Sequence, residues 1–149
     1  MSASNPAPID SSPAVRRGWV VFRAALLLPT VAILLRMRGL QFCLRLARWR
    51  LRGIETGSCD FESASRIQVL VAHANERYSL LRVDCLPLSL VGWYLSRRMG
   101  CATTLRLGVR TLTGRFESHA WIEMNGVPVG EIEDVRNIYS TMDIDRLLR

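Results

Sequence analysis

Apolar positions along this chain follow a helical period in its first two thirds and a period of two afterwards. Arg16 to Arg36 is the most hydrophobic piece, with an apolar stretch of twelve residues from Ala24 to Leu35. In the next segment Leu40, Cys43, Leu44, Ala47 and Leu51 share one helical face while Arg45, Arg48 and Arg52 line another, which predicts a basic amphipathic helix. These two segments read as a pair of helices broken near Pro29 or Gly39. Gly53 to Ser63 reads as a linker, and Ile67, Leu70, Val71, Ala74 and Tyr78 then predict a helix over 63–81, with His73 off its apolar face as a surface residue. A further largely apolar helix runs from Cys85 to Arg98, with Asp84 as its N-cap, Pro87 in its first turn, and Arg97, Arg98 and Gly100 as its C-terminal signature.

Alternation replaces that period from Thr103 onwards. Thr103–Arg110 reads as a strand with Leu105, Leu107 and Val109 inward, and Thr113-Gly114 turns the chain into a second strand over 116–124. One face of that strand holds Phe116, Ser118, Ala120, Ile122 and Met124, and the more polar face holds Glu117, His119, Trp121 and Glu123. Asn125-Gly126 signals a two-residue hairpin, so Val127–Glu131 returns antiparallel with Met124 opposite Val127. Asp134–Arg149 closes the domain as a strand or short helix. Helices first and a small antiparallel sheet afterwards make an α+β layout.

Charge divides the chain. Residues 16–52 hold nine Arg and no acid, so most of the net +7 lies there; all 20 basic residues are Arg, as a G+C-rich genome would give. The expected organisation is a disordered Pro-rich tail over 1–15, an Arg-rich helical arm over 16–52 and an α+β domain over 53–149. About 20 apolar residues are needed to cross a bilayer, and Arg23 interrupts any longer run, so the arm is expected to pack on the domain or a partner rather than span. Its basic-then-apolar order matches a secretory signal, but Arg36-Met37-Arg38-Gly39 follows where a small-residue cleavage site would stand. A membrane-surface helix and a dock for an acidic protein or peptide compete for the arm. Nucleic acid is not expected, since no binding motif accompanies the charge. Cysteines stand at 43, 59, 85 and 101 without metal-ligand or framework spacing. Cys43 and Cys101 read as packing residues, Cys59 as a loop residue, and a reducing cytoplasm is the expected setting.

Candidate chemistry lies between Val83 and Glu131. At a helix N-terminus, unpaired amides and the positive end of the dipole favour a thiolate and can hold an oxyanion, which makes Cys85 the candidate nucleophile. His119, on the polar strand face, is the candidate base. The hairpin register sets Glu131 diagonal to His119, where its carboxylate can orient the imidazole through Nδ1; Asp134 is the alternative, and Gln68 is a candidate second oxyanion donor.

The runs C-L-P-x-S-L, R-R-M-G and H-A-W-I-E, in that order and within 65–134, resemble the transglutaminase-like cysteine-protease fold, most closely its lasso-peptide leader-peptidase branch, the B2 type. That resemblance implies a Cys85–His119–Glu131 triad, with Glu where Asp is usual, and no cofactor or metal. It further implies cleavage of the leader from a ribosomally made precursor peptide. The implied partners are a B1-type leader-binding protein, for which the Arg-rich arm is a candidate dock, and an asparagine-synthetase-like lasso cyclase.

Overall fold

The computed structural model of the chain describes residues 13–78, 83–131, 134–142 and 144. Among these residues five α-helices and four strands follow in the order α1 (Pro13–Arg38), α2 (Leu40–Arg50), α3 (Phe61–Arg77), α4 (Cys85–Arg98), β1 (Thr103–Leu112), β2 (Arg115–Met124), β3 (Val127–Val129), α5 (Val135–Ile138) and β4 (Ser140–Met142). The strands form one antiparallel sheet in the order β3-β2-β1-β4. The α+β layout expected from the periodicities is the fold of the chain.

Helix α4 is the element on which the rest is built. It packs on α1, α3, β1 and β2, and Leu90, Val91, Trp93 and Leu95 are all buried. Its small residues Cys85, Ser89, Gly92 and Ser96 recur at i, i+4, i+7 and i+11, a single helical face on which neighbours approach closely. Trp93 Nε1 donates to the Thr103 carbonyl at 3.2 Å, which ties the end of α4 to the start of β1. Helix α3 is capped by Asp60, whose carboxylate accepts from the Ser63 amide at 2.9 Å; that bond holds the Asp60 carboxyl below its ordinary range. Ala64, Ile67, Val71 and Ala74 are its buried stripe.

Several expectations change. The first helix begins at Pro13, inside the segment expected to be a disordered tail, while residues 1–12 lie outside the described ones. Pro29 does not break it: α1 runs on to Arg38, and the chain turns at Gly39, whose φ of +79° suits glycine. The resulting helix is long and apolar enough to cross a membrane by length and composition, with 17% of that span buried. Its inner stripe of Val20, Ala24 and Leu28 belongs to the same core cluster as α3 and α4. Helix α3 ends at Arg77, with Tyr78 as its C-cap and 57% exposed rather than on the apolar face; residues 79–81 of the expected helix fall outside the described ones. Phe116 is 72% exposed, because the distal half of the β1–β2 ribbon runs out past the helices.

The cysteines also depart from expectation. Cys59 and Cys101 form a disulfide across 42 residues, beside a Gly57 amide to Gly100 carbonyl bond of 2.8 Å, whereas Cys43 and Cys85 are free. Cys101 is thus a bonded residue as well as a buried one. Since disulfides persist in oxidising surroundings, cysteine usage no longer argues for a reducing compartment.

Candidate active site

Cys85 opens α4 as expected. Asp84 holds the N-cap position, yet its side chain makes no capping bond. Pro87 has no amide hydrogen and the Leu88 amide bonds the Asp84 carbonyl at 3.3 Å, so the first-turn donors not engaged within the helix are the amides of Cys85 and Leu86. The segment leading into the helix is clamped by Asn75 of α3: the Val83 amide donates to its Oδ1 at 3.1 Å and its Nδ2 donates to the Val83 carbonyl at 3.4 Å. The thiol itself is half-buried and free.

The helix start is fixed to the sheet by Ser89. One turn along from Cys85, about 6 Å by helical rise, its hydroxyl donates to the Ala120 carbonyl at 2.7 Å. Ala120 follows His119 directly. Strand β3 pairs with β2 only from Ile122 to Met124, which leaves the Ala120 carbonyl beyond the β3 ladder and open to α4. The same shortness places Glu131. The ladder stops at Val129, Gly130 takes φ +74°, and Glu131 Oε1 comes to 3.2 Å from His119 Nε2. Both side chains of that pair are about a quarter exposed.

Contact through Nε2 reverses the nitrogen expected to meet the carboxylate and leaves Nδ1 for the thiol. No hydrogen bond joins Cys85 to His119 among the described residues; such contacts are commonly long in unliganded enzymes and tighten around substrate. Asp134 does not serve the histidine, since its Oδ2 accepts from Asn137 Nδ2 at 2.6 Å. Gln68 does not reach the helix start either. Its amide lies against Gly92, where a Cβ would come within 2.3 Å, seven residues and about 10 Å along α4 from Cys85. His73 is exposed and stacks edge-on with Tyr78, away from the site.

The face of β2 that carries His119 is covered rather than open. Trp121 is 1% and Glu123 3% exposed. The Glu123 carboxylate accepts from Trp121 Nε1 at 3.0 Å, pairs with Arg106 Nε at 3.2 Å and meets Arg136 Nε at 3.4 Å. Tyr139, between α5 and β4, packs its ring 5.5 Å from the His119 ring, Trp121 stacks on the histidine at 5.9 Å, and the Trp121 and Tyr139 rings are themselves 6.3 Å apart, so the three form one cluster. Gly108, directly across β1 from His119, makes the space, because a Cβ there would stand 2.7 Å from Tyr139 and 2.8 Å from Trp121. Ser89, Asn75, Gly108 and Tyr139 were not among the expected site residues. Small residues at helical spacing and a glycine inside an alternating strand are the signals that pointed to two of them.

A protein-family model described as the transglutaminase-like superfamily matches residues 15–142. The chain belongs to that superfamily. Its members are generally cysteine-dependent enzymes of the protease or acyltransferase type, and this chain carries a free cysteine at the start of α4 and a histidine–carboxylate pair whose histidine is on the strand to which Ser89 of α4 is bonded. Neither the curated proteins nor the solved structures include a match to this chain.

Proposed function

We propose that this transglutaminase-like protein is a cysteine peptidase that removes the leader from a ribosomally made lasso precursor peptide before a partner cyclase closes the ring. The supporting observation is the Ser89–Ala120 bond, which sets the first turn of the Cys85 helix against the strand residue next to His119, itself held by Glu131. The motif runs around Cys85 and His119 direct the reading to leader cleavage.

In this mechanism the Cys85 thiol gives its proton to His119 Nδ1, and the thiolate attacks the leader–core carbonyl. The oxyanion is held by the Cys85 and Leu86 amides. His119 then protonates the departing amine, so the core peptide leaves and the leader remains as a thioester. Water, deprotonated by His119, hydrolyses the thioester and regenerates the thiol. Glu131 stabilises the imidazolium that forms in both halves. The resemblance to leader peptidases brings a separate leader-binding protein and an asparagine-synthetase-like cyclase into this reading as partners.

The test is cleavage in a reconstituted mixture of precursor, leader-binding protein and this chain, with products weighed by mass spectrometry. Leader and core should appear with the mass of one water added between them, and Cys85→Ala should abolish both while its circular dichroism stays unchanged. Undiminished processing by that variant refutes the cysteine mechanism. An amine joined to the leader acyl group in place of water would make the protein an acyltransferase with the same triad.

A further inference from the structure

The outward side of α1 and α2 has no place in the chemistry just described. Trp19, Phe22, Leu26, Ile33 and Met37 are 37%, 64%, 57%, 52% and 74% exposed. At 100° per residue they fall within a sector of about 60°, opposite the buried Val20, Ala24 and Leu28. No charge lies inside that sector; Arg23 and Arg36 flank it. Helix α2 adds Phe42, Leu46 and Trp49 at i, i+4 and i+7, also exposed. A groove of about 470 Å³ runs between these two helices and α4, lined by Phe22, Leu26, Leu46 and Tyr94 with Arg23 and Arg50 among its walls.

An exposed apolar sector of a helix is satisfied by a core or by lipid, and α1 has a core on its opposite side only. The rest of the pattern selects the occupant. Residues 16–54 carry nine Arg and no acid, so the surface complements a negative charge. Three guanidinium groups lie over exposed rings, Arg23 over Trp19 at 4.6 Å, Arg38 over Phe42 at 5.5 Å and Arg50 over Trp49 at 5.7 Å. Aromatic bodies set between arginine heads match the boundary between acyl chains and anionic headgroups.

We propose that the outward face of α1 and α2 docks on an anionic lipid bilayer, with α1 lying in the plane of the interface. Spanning is opposed by the inner stripe: Val20, Ala24 and Leu28 are at most 1% exposed against the domain, so α1 would have to leave its own core to be wrapped in lipid. The inference is independent of the proposed cleavage, because it uses no residue of the site.

Flotation of the full chain with phosphatidylcholine vesicles, with and without a phosphatidylglycerol admixture, tests it. Binding should rise by about tenfold or more with the anionic lipid and fall as salt is raised. Brominated acyl chains should quench Trp19 and Trp49, since Trp93 and Trp121 are buried. Phe22→Asp with Leu26→Asp, both at exposed positions, should remove the binding while the rate of Cys85 alkylation stays unchanged. Three results overturn the proposal: indifference to anionic vesicles, a dimer or a protein partner covering the face in light scattering, or partition that resists high salt and alkaline washing as a spanning helix does.

Discussion

Replacing Glu131 by Gln keeps the shape of the side chain and removes its charge, and the geometry bounds the effect. Two unit charges 3.2 Å apart at an effective dielectric of about 20 attract by roughly 5 kcal/mol before desolvation. Both groups are about a quarter exposed, so solvent takes back much of this, and about 1.5–3 kcal/mol is the range for a hydrogen bond to a charged partner. That energy stabilises the imidazolium and, through it, the thiolate–imidazolium pair. Losing it lowers the thiolate population by roughly 10- to 150-fold. Iodoacetamide reads that population without any substrate: alkylation of Cys85, followed by peptide mass spectrometry, should slow by such a factor in Glu131→Gln. Asp134→Asn is the control, because Asp134 is engaged with Asn137. Equal alkylation rates in wild type and Glu131→Gln, or a slowing in Asp134→Asn instead, would refute the assignment of the orienting carboxylate.

Other outcomes follow from the same structure. Ser89→Ala leaves the carbonyl of the buried Ala120 without its donor, which should cost about 1–3 kcal/mol in urea unfolding and slow Cys85 alkylation as well; stability lost with reactivity intact would make Ser89 only a packing residue. Alkylation at neutral pH should mark Cys85 ahead of Cys43, whose thiol is pushed up by burial, and leave Cys59 and Cys101 unmarked until reductant is added. Opening that disulfide frees a loop of 42 residues and should lower stability by about 4 kcal/mol on the chain-entropy account, seen as a fall in Tm with dithiothreitol.

The order from α1 to β3 was legible because each of those elements keeps a clean period, while Asp134–Arg149 left strand and short helix open and holds both α5 and β4; the Asn125-Gly126 turn fixed a register that runs from Met124↔Val127 to Ile122↔Val129. Both turn residues take positive φ, as that turn requires. Glu131 could be found from that register, but the nitrogen it meets could not. Gly130 leaves the ladder, and the carboxylate then approaches His119 from a direction no strand geometry predicts. The disulfide was hidden because its partners are 42 residues apart and meet only after α3 and α4 have packed. Of the two expected break points, Gly39 is the one the chain uses, while Pro29 stays inside α1, where the packing of that helix on α3 and α4 outweighs the proline signal. The polar face of β2 misled most. Alternation showed which residues share a face, whereas what covers that face is decided by α5 and β4, distant in sequence.

That cover explains how so small a sheet holds a histidine still. The His119 ring packs against both Trp121 and Tyr139, which also touch each other, and neither ring would fit if β1 carried a Cβ at Gly108. Trp121 is in turn fixed by its bond to Glu123, a buried carboxylate that Arg106 and Arg136 meet from two elements. Arg110 lies over the Tyr139 ring at 4.8 Å and closes the other flank. The imidazole is therefore positioned by residues from β1, β2, α5 and the approach to β4, while the thiol is positioned by α3 and α4. Among the described residues, the Ser89–Ala120 hydrogen bond ties α4 to β2 right beside His119, so a shift of helix against sheet at that bond would change the sulfur–imidazole distance.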